Sequence, residues 1–398
     1  MKANRVQEKK IYLVGGAVRD ALMGRDVTDR EYVAVGYAPE DFAHLERLEG
    51  ELPVFLREDG SVLALARSAR KSGLETETAG ASIEADLLRR DLTINAIAYD
   101  EKEDVYVDPC DGREDIERRI LRHVSEAFAE EPLHVLRLAR FRAMFGTGWN
   151  IHATTRVLVY QMREALTHLP PERVWQEVEK VLRLPDAHLF FETLFELGVL
   201  DAVFPSLYAM TTFKEGTKYH REASLFAHVM MVLRELKNET APLKLTALYH
   251  DIAKPFCYRT YGNGLRHGDP DEIAPRIDMQ IPAKMKERVL FLSEKHGKLS
   301  KLPEMSVYHI ADFFESFHKD ETLLTDLIRF KRADDQGRFT DVPRPDIWER
   351  ALFKTFDAIN AYNPQKWIDS QQQAPDDKAI ALHVHLQNIE IVKRTFFA

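Results

Sequence analysis

Two carboxylates near the amino end of the chain have a spacing that suits a metal ion. Asp29 and Glu31 are two residues apart, and on a strand that spacing places both side chains on one face. Two carboxylates on one face repel each other unless a cation lies between them, and Mg²⁺ prefers oxygen ligands together with substrate phosphates. An ion held in this way would polarise a triphosphate and activate an attacking hydroxyl. The alternative is a solvated, charged strand edge, and an isolated D-x-E pair is more often of this kind than a metal site.

A pair of glycines precedes these carboxylates. Gly15 and Gly16 lie between "IYLV", which is typical of a buried strand, and "AVRDALMG", which is typical of a short helix. Glycines at such a junction let the backbone approach a ligand, and the first turn of the helix offers free N–H groups to a phosphate. Arg19, one turn later, is placed to donate to the same phosphate. Taken alone, the pair is equally typical of a tight turn beside a surface arginine.

A second group of residues with metal-binding chemistry lies in the C-terminal half. His228 and the adjacent His250 and Asp251 fall in two segments with helical periodicity. A helix that presents adjacent His and Asp can bind a divalent metal when a distant His and a distant Asp complete the ligand set. A lone His–Asp dipeptide usually marks only a helix end. Two histidines further along the chain are candidates for further ligands or phosphate contacts: His267 and His296.

The elements that must position these residues change in type along the chain. From residue 11 to about residue 125 the pattern is mixed, with strands predicted for "IYLVGG", "REYVAVG" and "SVLALAR". Beyond about residue 125 the strand signals vanish, and segments such as "EEPLHVLRLARFRAMF" and "LFFETLFELGVLDAVF" carry apolar residues at helical spacing. "LPP" at 169–171 should end one helix before the next begins. We therefore expect an α+β protein, in which a mixed sheet with helices is followed by an all-α region.

Composition limits the class of protein. The chain has 398 residues, a net charge of −9 and two cysteines. This length predicts two or three domains, and two cysteines offer neither a disulfide framework nor a thiolate metal site. No apolar run approaches the ~18 residues of a membrane helix, and no signal peptide is recognised at the start. We expect a cytoplasmic protein with no membrane partner. The negative net charge argues only weakly against a nucleic-acid partner, because binding needs a local basic face rather than a basic total charge.

The order of these motifs resembles one family. "LVGGAVRDALMGRDVTDREYVAVG", "RRDLTINAIAYD", the segment from "VDPCDG" to "RFRAMF", and "LPPERVWQEVEKVL" closely resemble the class II tRNA nucleotidyltransferases, which comprise the CCA-adding enzymes and the related bacterial poly(A) polymerases. The resemblance implies transfer of nucleotides from CTP or ATP to the 3′ end of tRNA or another RNA, with Mg²⁺. It also implies a nucleotidyltransferase head at 1–125, a helical neck and body binding RNA and nucleotide at 126–215, an HD phosphohydrolase-like domain at 216–340 and a helical tail at 341–398.

The resemblance also implies roles for individual residues. Asp29 and Glu31 correspond to the catalytic, metal-binding carboxylates, and Gly15, Gly16 and Arg19 to the turn that holds the triphosphate. Residues that match the motif contacting the sugar and phosphates are Arg90, Asp91 and Asn95. Residues that match the template reading the base edge are Glu130, Glu131, His134 and Arg137. Residues that match the HD-domain phosphohydrolases, with a metal of unspecified identity, are His228, His250, Asp251, Lys254 and Asp334.

The departures from the family pattern concentrate on chemistry and base choice. The metal pair is D-x-E where the family has D-x-D, and the template reads E-E-x-x-H where the family has E-D-x-x-R. Arginine offers a rigid fork of donors, whereas a neutral histidine offers one. The family usually carries a third acidic residue on the strand "SVLALAR", and at the corresponding position this chain has Val62. The acidic segment at 71–88 is short for the family's flexible loop. The retained residues favour altered or partial CCA specificity over a lost activity.

Two other functions stay open on the sequence. The first is a metal-dependent phosphohydrolase acting on RNA 3′ ends or nucleotides through the HD residues, with the head used only to bind RNA. The second is an RNA-binding paralogue without catalysis. Nothing in the sequence indicates the oligomeric state.

Overall fold

The computed structural model describes residues 8–49, 53–67, 81–214, 223–338 and 348–397, with only the backbone of residue 348. The segment predicted as a shortened loop therefore lies largely outside the described residues. The chain divides into two compact units, one containing residues up to 177 together with 189–203, and the other containing 178–188 and 204–398. The predicted domain boundaries near 125, 215 and 340 remain predictions.

The first unit is built on a mixed sheet, which confirms the α+β class. Its seven strands in the described residues run in the order β3-β4-β5-β2-β1-β6-β7. They are β1 Lys10–Val14, β2 Glu31–Val35, β3 Glu46–Arg47, β4 Val54–Leu56, β5 Val62–Leu65, β6 Ala98–Asp100 and β7 Val105–Val107. A short parallel pair joins β8 Ile120–Leu121 to β9 Asn150–Ile151. The expectation that strands end near residue 125 thus misses β9.

Helices cover both faces of this sheet and continue beyond it. They are α1 Gly16–Leu22, α2 Ile83–Leu87, α3 Gly112–Arg118, α4 Leu133–Phe145, α5 Ala153–Gln161, α6 Arg163–Leu166, α7 Pro171–Leu182, α8 His188–Glu196 and α9 Leu200–Val203. The central strand β1 explains the two-sided core, because its side chains alternate between the faces. Val14 packs in a cluster with Leu87 of α2, whereas Leu13 packs in a second cluster with Val18 of α1. The break predicted at "LPP" separates α6 from α7.

The register of the sheet shows which residues lie beside Glu31, the first residue of β2. β1 and β2 are antiparallel, and Val14, the residue before the glycine turn, pairs with Glu31. β2 and β5 are parallel, and Glu31 pairs with Val62. Paired residues point to the same face of a sheet, so Val62 occupies the position beside Glu31. The strand predictions for "IYLVGG", "REYVAVG" and "SVLALAR" are confirmed by β1, β2 and β5.

The second unit is helical in its described residues. Its helices are α10 Pro205–Ala209, α11 Leu225–Glu235, α12 Ala241–Tyr249, α13 Lys254–Tyr261, α14 Pro270–Ile273, α15 Ala283–Leu299, α16 Val307–Glu315, α17 Glu321–Gln336, α18 Trp348–Ala361, α19 Gln365–Asp369 and α20 Asp377–Thr395. α11, α12, α15 and α17 pack against one another, and α20 packs on α16 and α18. Among the helices in the described ranges, none has the length and apolar character needed to cross a membrane.

A buried carboxyl group in the second unit makes its stability sensitive to pH. Asp278, between α14 and α15, accepts hydrogen bonds of 3.0 Å from the backbone N–H and the hydroxyl of Ser206. Burial nevertheless raises the pKa of Asp278 to about 6. The folded pKa is above the unfolded value of about 4, so this contribution to stability is complete below pH ~4 and is lost as the pH rises through 6.

Asp278→Asn should therefore stabilise the protein only where the wild-type group is ionised. We expect the free energy of unfolding at pH 7.5 to rise by about 1–3 kcal/mol, with no gain at pH 4. Urea unfolding at both pH values measures this difference. Asp271→Asn, at an exposed position on α14, is the matched control. An equal effect of Asp278→Asn at pH 4 and pH 7.5 would contradict the assignment.

Candidate active site and metal centre

The glycine turn approaches two charged side chains closely. Gly15 has a φ of +67°, and a Cβ atom built on it would lie 2.9 Å from Arg90 Nη1 and 3.2 Å from Glu31 Oε2. A side chain at this position would therefore be strained, and the Arg90 guanidinium, the end of a flexible side chain, would have to move away from it. Gly16 is the first residue of α1, and its added Cβ would lie 3.6 Å from the Arg19 guanidinium, which is an ordinary contact. The structure thus brings together the turn, the second carboxylate and Arg90.

Gly15→Ala tests this close approach against backbone strain alone. We expect a loss of about 1–2 kcal/mol in the free energy of unfolding from the left-handed backbone, with a small further loss from displacing the Arg90 guanidinium. Gly24→Ala is the matched control, because Gly24 has a φ of +65° but nothing within 4 Å of an added Cβ. Urea denaturation of both variants measures the two costs. Equal destabilisation would mean that the approach of Arg90 and Glu31 does not require glycine.

The two carboxylates differ in their settings. Both are exposed, but β2 begins at Glu31, so Asp29 lies just before the strand. The Arg30 carbonyl accepts a hydrogen bond from the Val62 N–H at 3.0 Å, which extends the ladder toward Asp29. No acid stands beside Glu31 on β5, because that position is Val62. The nearby Asp59 is held in its turn by the Ser61 backbone N–H and hydroxyl, at 3.0 and 2.5 Å.

A chain of polar side chains connects α1 to α4 behind the turn. Arg19 Nη1 donates to Asn95 Oδ1 at 2.6 Å, and Asn95 Nδ2 donates to Asp91 Oδ1 at 2.9 Å. Arg137 Nε donates to the other Asp91 oxygen at 2.7 Å. Burial alone would raise the pKa of Asp91, but the charge of Arg137 and the hydrogen bonds from Asn95 and Arg137 lower it to about 2. Asp91 is therefore ionised and holds Arg137 and Asn95 in place.

Arg19 and Arg90 differ in how much of their donor capacity the protein uses. Arg19 is buried, donates Nε and Nη2 to Asp20 at 2.9 and 2.8 Å, and lies over the rings of Phe141 and Phe145. Arg90 Nη2 lies 3.3 Å from an Asp86 oxygen, whereas its buried Nε makes no hydrogen bond. Both guanidinium groups therefore reach the glycine turn, Arg90 beside Gly15 and Arg19 beside Gly16, and Arg19 is the more fully engaged by the protein. No local pattern indicates this difference, because both are arginines close to a motif.

The residues predicted to read the base edge are also engaged within the protein. Glu131 forms an ion pair with Arg173, with its two oxygens 3.3 and 3.2 Å from Nη1. His134 Nδ1 lies 3.1 Å from the Phe128 carbonyl oxygen. A carbonyl only accepts, so Nδ1 carries the proton and the Nε2 of a neutral His134 is an acceptor. Sequence reasoning missed Arg173, because a contact across 42 residues has no local signature.

In the second unit, the four predicted metal ligands converge. His228 Nε2 lies 3.2 Å from Asp334 Oδ1, and His250 Nε2 lies 3.8 Å from the same atom. His250 Nε2 also lies 3.3 Å from Asp251 Oδ2. All four residues are almost completely buried. Ligand atoms of His228, His250 and Asp334 lie within 4.8 Å of one another.

The two further histidines converge on the other oxygen of Asp251. His267 Nε2 lies 3.4 Å and His296 Nε2 3.7 Å from Asp251 Oδ1. His250, Asp251 and His296 form a second group with ligand atoms within 4.8 Å. Burial is the main cause that lowers the pKa of His296 to about 3, so this ring is neutral and able to bind a metal.

The four histidines share a hydrogen-bonding arrangement that suits a metal. In each, Nδ1 lies within hydrogen-bonding distance of a backbone carbonyl oxygen, which places the proton on Nδ1 and leaves Nε2 as the ligand atom. The pairs are His228 with Gly337, His250 with Ala247, His267 with Gly264 and His296 with Ser293. The donor set of imidazole nitrogens and carboxylate oxygens fits a divalent ion.

Basic side chains hold the two aspartates of this group. Lys254 Nζ lies 2.9 Å from Asp251 Oδ2, and Lys331 Nζ lies 2.8 Å from Asp334 Oδ2. Arg338 also pairs with Asp334. Burial opposes ionisation, but these cations and His250 hold the pKa values of both carboxyls well below the usual range. Both aspartates are therefore anionic. The sequence predicted Lys254, but it gave no role to Lys331 or Arg338.

Known proteins resemble the chain in sequence. A model for the poly A polymerase head domain matches residues 63–122, and a model for the probable RNA and SrmB-binding site of polymerase A matches residues 148–210. A multifunctional CCA protein of Herminiimonas arsenicoxydans is 34% identical over 94% of this chain and 98% of its own. A multifunctional CCA protein of Shewanella denitrificans is 35% identical, covering 83% of this chain and 84% of its own.

Solved structures resemble the chain in fold. The Bacillus stearothermophilus CCA-adding enzyme in complex with CTP matches with a TM-score of 0.63 at 21% identity, covering 97% of this chain and 89% of that one. The Thermotoga maritima CCA-adding enzyme complexed with tRNA matches with a TM-score of 0.61 at 18% identity, covering 97% and 90%. At these identities the likeness concerns the fold alone.

Proposed function

Because the chain belongs to the class II tRNA nucleotidyltransferase family, we propose that it adds nucleotides from NTPs to the 3′ end of tRNA. The observation that carries the proposal is the meeting of Gly15, Glu31 and Arg90 at one point of the sheet. A glycine turn, a carboxylate and a cation are the groups that a nucleoside triphosphate with a divalent ion requires. The relatives do not favour the alternative in which the head only binds RNA.

The reaction is attack of the RNA 3′-hydroxyl on the α-phosphorus of the NTP. A P–O bond forms to the RNA, the bond between the α-phosphorus and the bridging oxygen breaks, and pyrophosphate leaves with that electron pair. Asp29 and Glu31 supply only oxygen atoms, which fits Mg²⁺. Such an ion, when bound, would polarise the α-phosphate and favour ionisation of the hydroxyl.

The protein's own residues would position the substrate. Gly15 leaves the backbone without a side chain at the turn, and Arg90 brings Nη1 to the same side, where it lies 3.5 Å from the Asn95 carbonyl oxygen. The ionised Asp91 fixes Arg137 directly and, through Asn95, also fixes Arg19, so that each guanidinium is held in one orientation. Glu131 and His134 would meet the base. Because Glu31, Glu131 and His134 depart from the family pattern, we propose that the choice of nucleotide, or the number added, differs from complete CCA addition.

A primer-extension experiment tests this function. Purified protein with Mg²⁺ or Mn²⁺ is given tRNAs that end before CCA, after C, after CC and after CCA, with each NTP singly and with all four. We expect one-nucleotide steps on at least one of these ends. No extension of any tRNA with any NTP would overturn the proposal.

We propose a second activity, a metal-dependent phosphohydrolase, at the group formed by His228, His250, Asp251 and Asp334. Its support is the convergence of histidine Nε2 atoms on two anionic carboxylates. A divalent ion held there would polarise a phosphoester and lower the pKa of an attacking water. Lys254 and Lys331 would hold the carboxylates in place for the ion.

Two single substitutions, one at each site, separate the two activities. Asp251→Asn should abolish release of phosphate from nucleotides or RNA 3′ ends while nucleotide addition continues, and Asp29→Asn should do the reverse. Loss of both activities in either variant would show a single centre, provided that circular dichroism shows the fold intact.

A further inference from the structure

A third group of metal-ligating side chains lies between α16 and α20, and neither proposed activity uses it. α16 presents Asp312 and Glu315, and α20 presents His385 and Asn388, each pair at a three-residue spacing that places both members on one helix face. His385 Nδ1 lies 3.0 and 3.2 Å from the two Glu315 oxygens and 3.8 Å from Asp312 Oδ1. Two helices therefore bring one ring nitrogen and two carboxylates to one point.

The separations suit a single small ion. The ligand atoms of Asp312, Glu315 and His385 lie within 4.8 Å of one another. Ligands bound at about 2.0–2.2 Å from one ion are separated by roughly 3–4.3 Å in tetrahedral or octahedral geometry. The three distances from His385 Nδ1 already fall in that interval. Asp312 keeps 62% of its side chain exposed, which leaves a path for the ion and room for water ligands.

Asn388 provides an independent observation at the same place. It is 2% exposed, and its Nδ2 donates to Glu315 Oε1 at 2.8 Å. Its Oδ1 is buried and accepts no hydrogen bond. A buried acceptor without a partner costs about 1–3 kcal/mol. If a cation lay beside Glu315, rotation of the Asn388 amide would bring Oδ1 to that cation, because an amide oxygen is itself a metal ligand.

We propose that Asp312, Glu315 and His385 bind a divalent transition-metal ion of the Zn²⁺ class, with Asn388 as a fourth ligand or as the residue that orients Glu315. The imidazole nitrogen favours such an ion over Mg²⁺ or Ca²⁺, which prefer oxygen alone. Two carboxylates neutralise its charge. The ion would fasten the C-terminal helix α20 to α16. Without it, the His385–Glu315 pair is partly exposed and contributes little to that contact.

Zn²⁺ binding to the full chain tests the site. Equilibrium dialysis and calorimetry would compare wild type with His385→Ala and with Asp312→Asn, whose exposed position makes misfolding no concern. His309→Ala is the matched control, because His309 is an exposed histidine on the same helix. The residues that converge on Asp251 are unchanged in all of these variants, so their contribution to Zn²⁺ uptake is constant.

We expect both cluster variants to lose one equivalent of bound Zn²⁺, or to bind it at least tenfold more weakly, while His309→Ala retains it. Asn388→Leu should weaken binding by about tenfold, as loss of an orienting residue does. Zn²⁺ should also raise the melting temperature less in His385→Ala than in wild type. Equal Zn²⁺ stoichiometry and affinity in wild type, His385→Ala and Asp312→Asn would overturn the proposal and leave an ion pair between two helices.

Discussion

Asp29→Asn is expected to lower the rate of nucleotide addition by at least about 10²–10³-fold, the effect of removing one group that stabilises transition-state charge. The change keeps the size of the side chain but removes the negative charge that would hold a divalent ion. The neighbouring strand β5 adds no third carboxylate beside Glu31, because that position is Val62. The loss of one therefore leaves a single anionic ligand. Single-turnover extension of a labelled tRNA, at saturating NTP, measures the rate.

Glu58→Gln is the control for this prediction, because Glu58 is an exposed carboxylate in the turn before β5. It should extend tRNA at the wild-type rate. A rate for Asp29→Asn within a factor of two of wild type, with intact folding, would show that Asp29 does not take part in the reaction. Glu31→Asp adds a second comparison, since it restores the family's D-x-D pattern and shortens a side chain that lies against the glycine turn.

The sequence predicted those parts of the fold that depend on local periodicity. The short apolar runs in "KIYLV" and "EYVAV" sufficed for β1 and β2, and the run of helices after residue 125 follows from apolar spacing. β9 was missed because two residues, Asn150 and Ile151, carry no alternation to detect. The candidate sites were found from motif order, because the residues at each site lie far apart in the chain.

Side-chain partners could not be predicted, because they depend on contacts across the fold. Arg19 is predicted to contact a phosphate, and that role stays a prediction; its contacts with Asp20 and two aromatic rings from α4 have no sign in the sequence. The Glu131–Arg173 pair joins residues from two segments whose patterns are independent. The proton on Nδ1 of His134 follows from the nearby Phe128 carbonyl, which no spacing rule indicates. These partners determine which donors and acceptors face a ligand.

His134→Arg is expected to shift nucleotide choice toward CTP and ATP. Cytosine and adenine each present an amino donor and a ring-nitrogen acceptor on the Watson–Crick edge, so the protein must supply one acceptor and one donor. In the wild-type protein the Glu131 carboxylate is an acceptor, and the Nε2 of a neutral His134 is another, because Nδ1 is used by Phe128. Two acceptors suit the paired N–H groups of guanine better than either family substrate.

An arginine at position 134 supplies the lacking donor, and a mismatched buried polar contact costs about 1–3 kcal/mol, or roughly 10–100-fold in relative kcat/KM. We expect that change in the ratio of CTP or ATP to GTP incorporation, measured by competition on a tRNA that lacks its CCA end. His168→Arg, at a position with 77% of its side chain exposed, adds the same charge away from the site and should leave the ratio unchanged. An unchanged ratio in His134→Arg would remove this residue from base selection.

Because Glu131 is also paired with Arg173, Arg173→Ala should then be tested for the same shift, since it would free the carboxylate to meet the base.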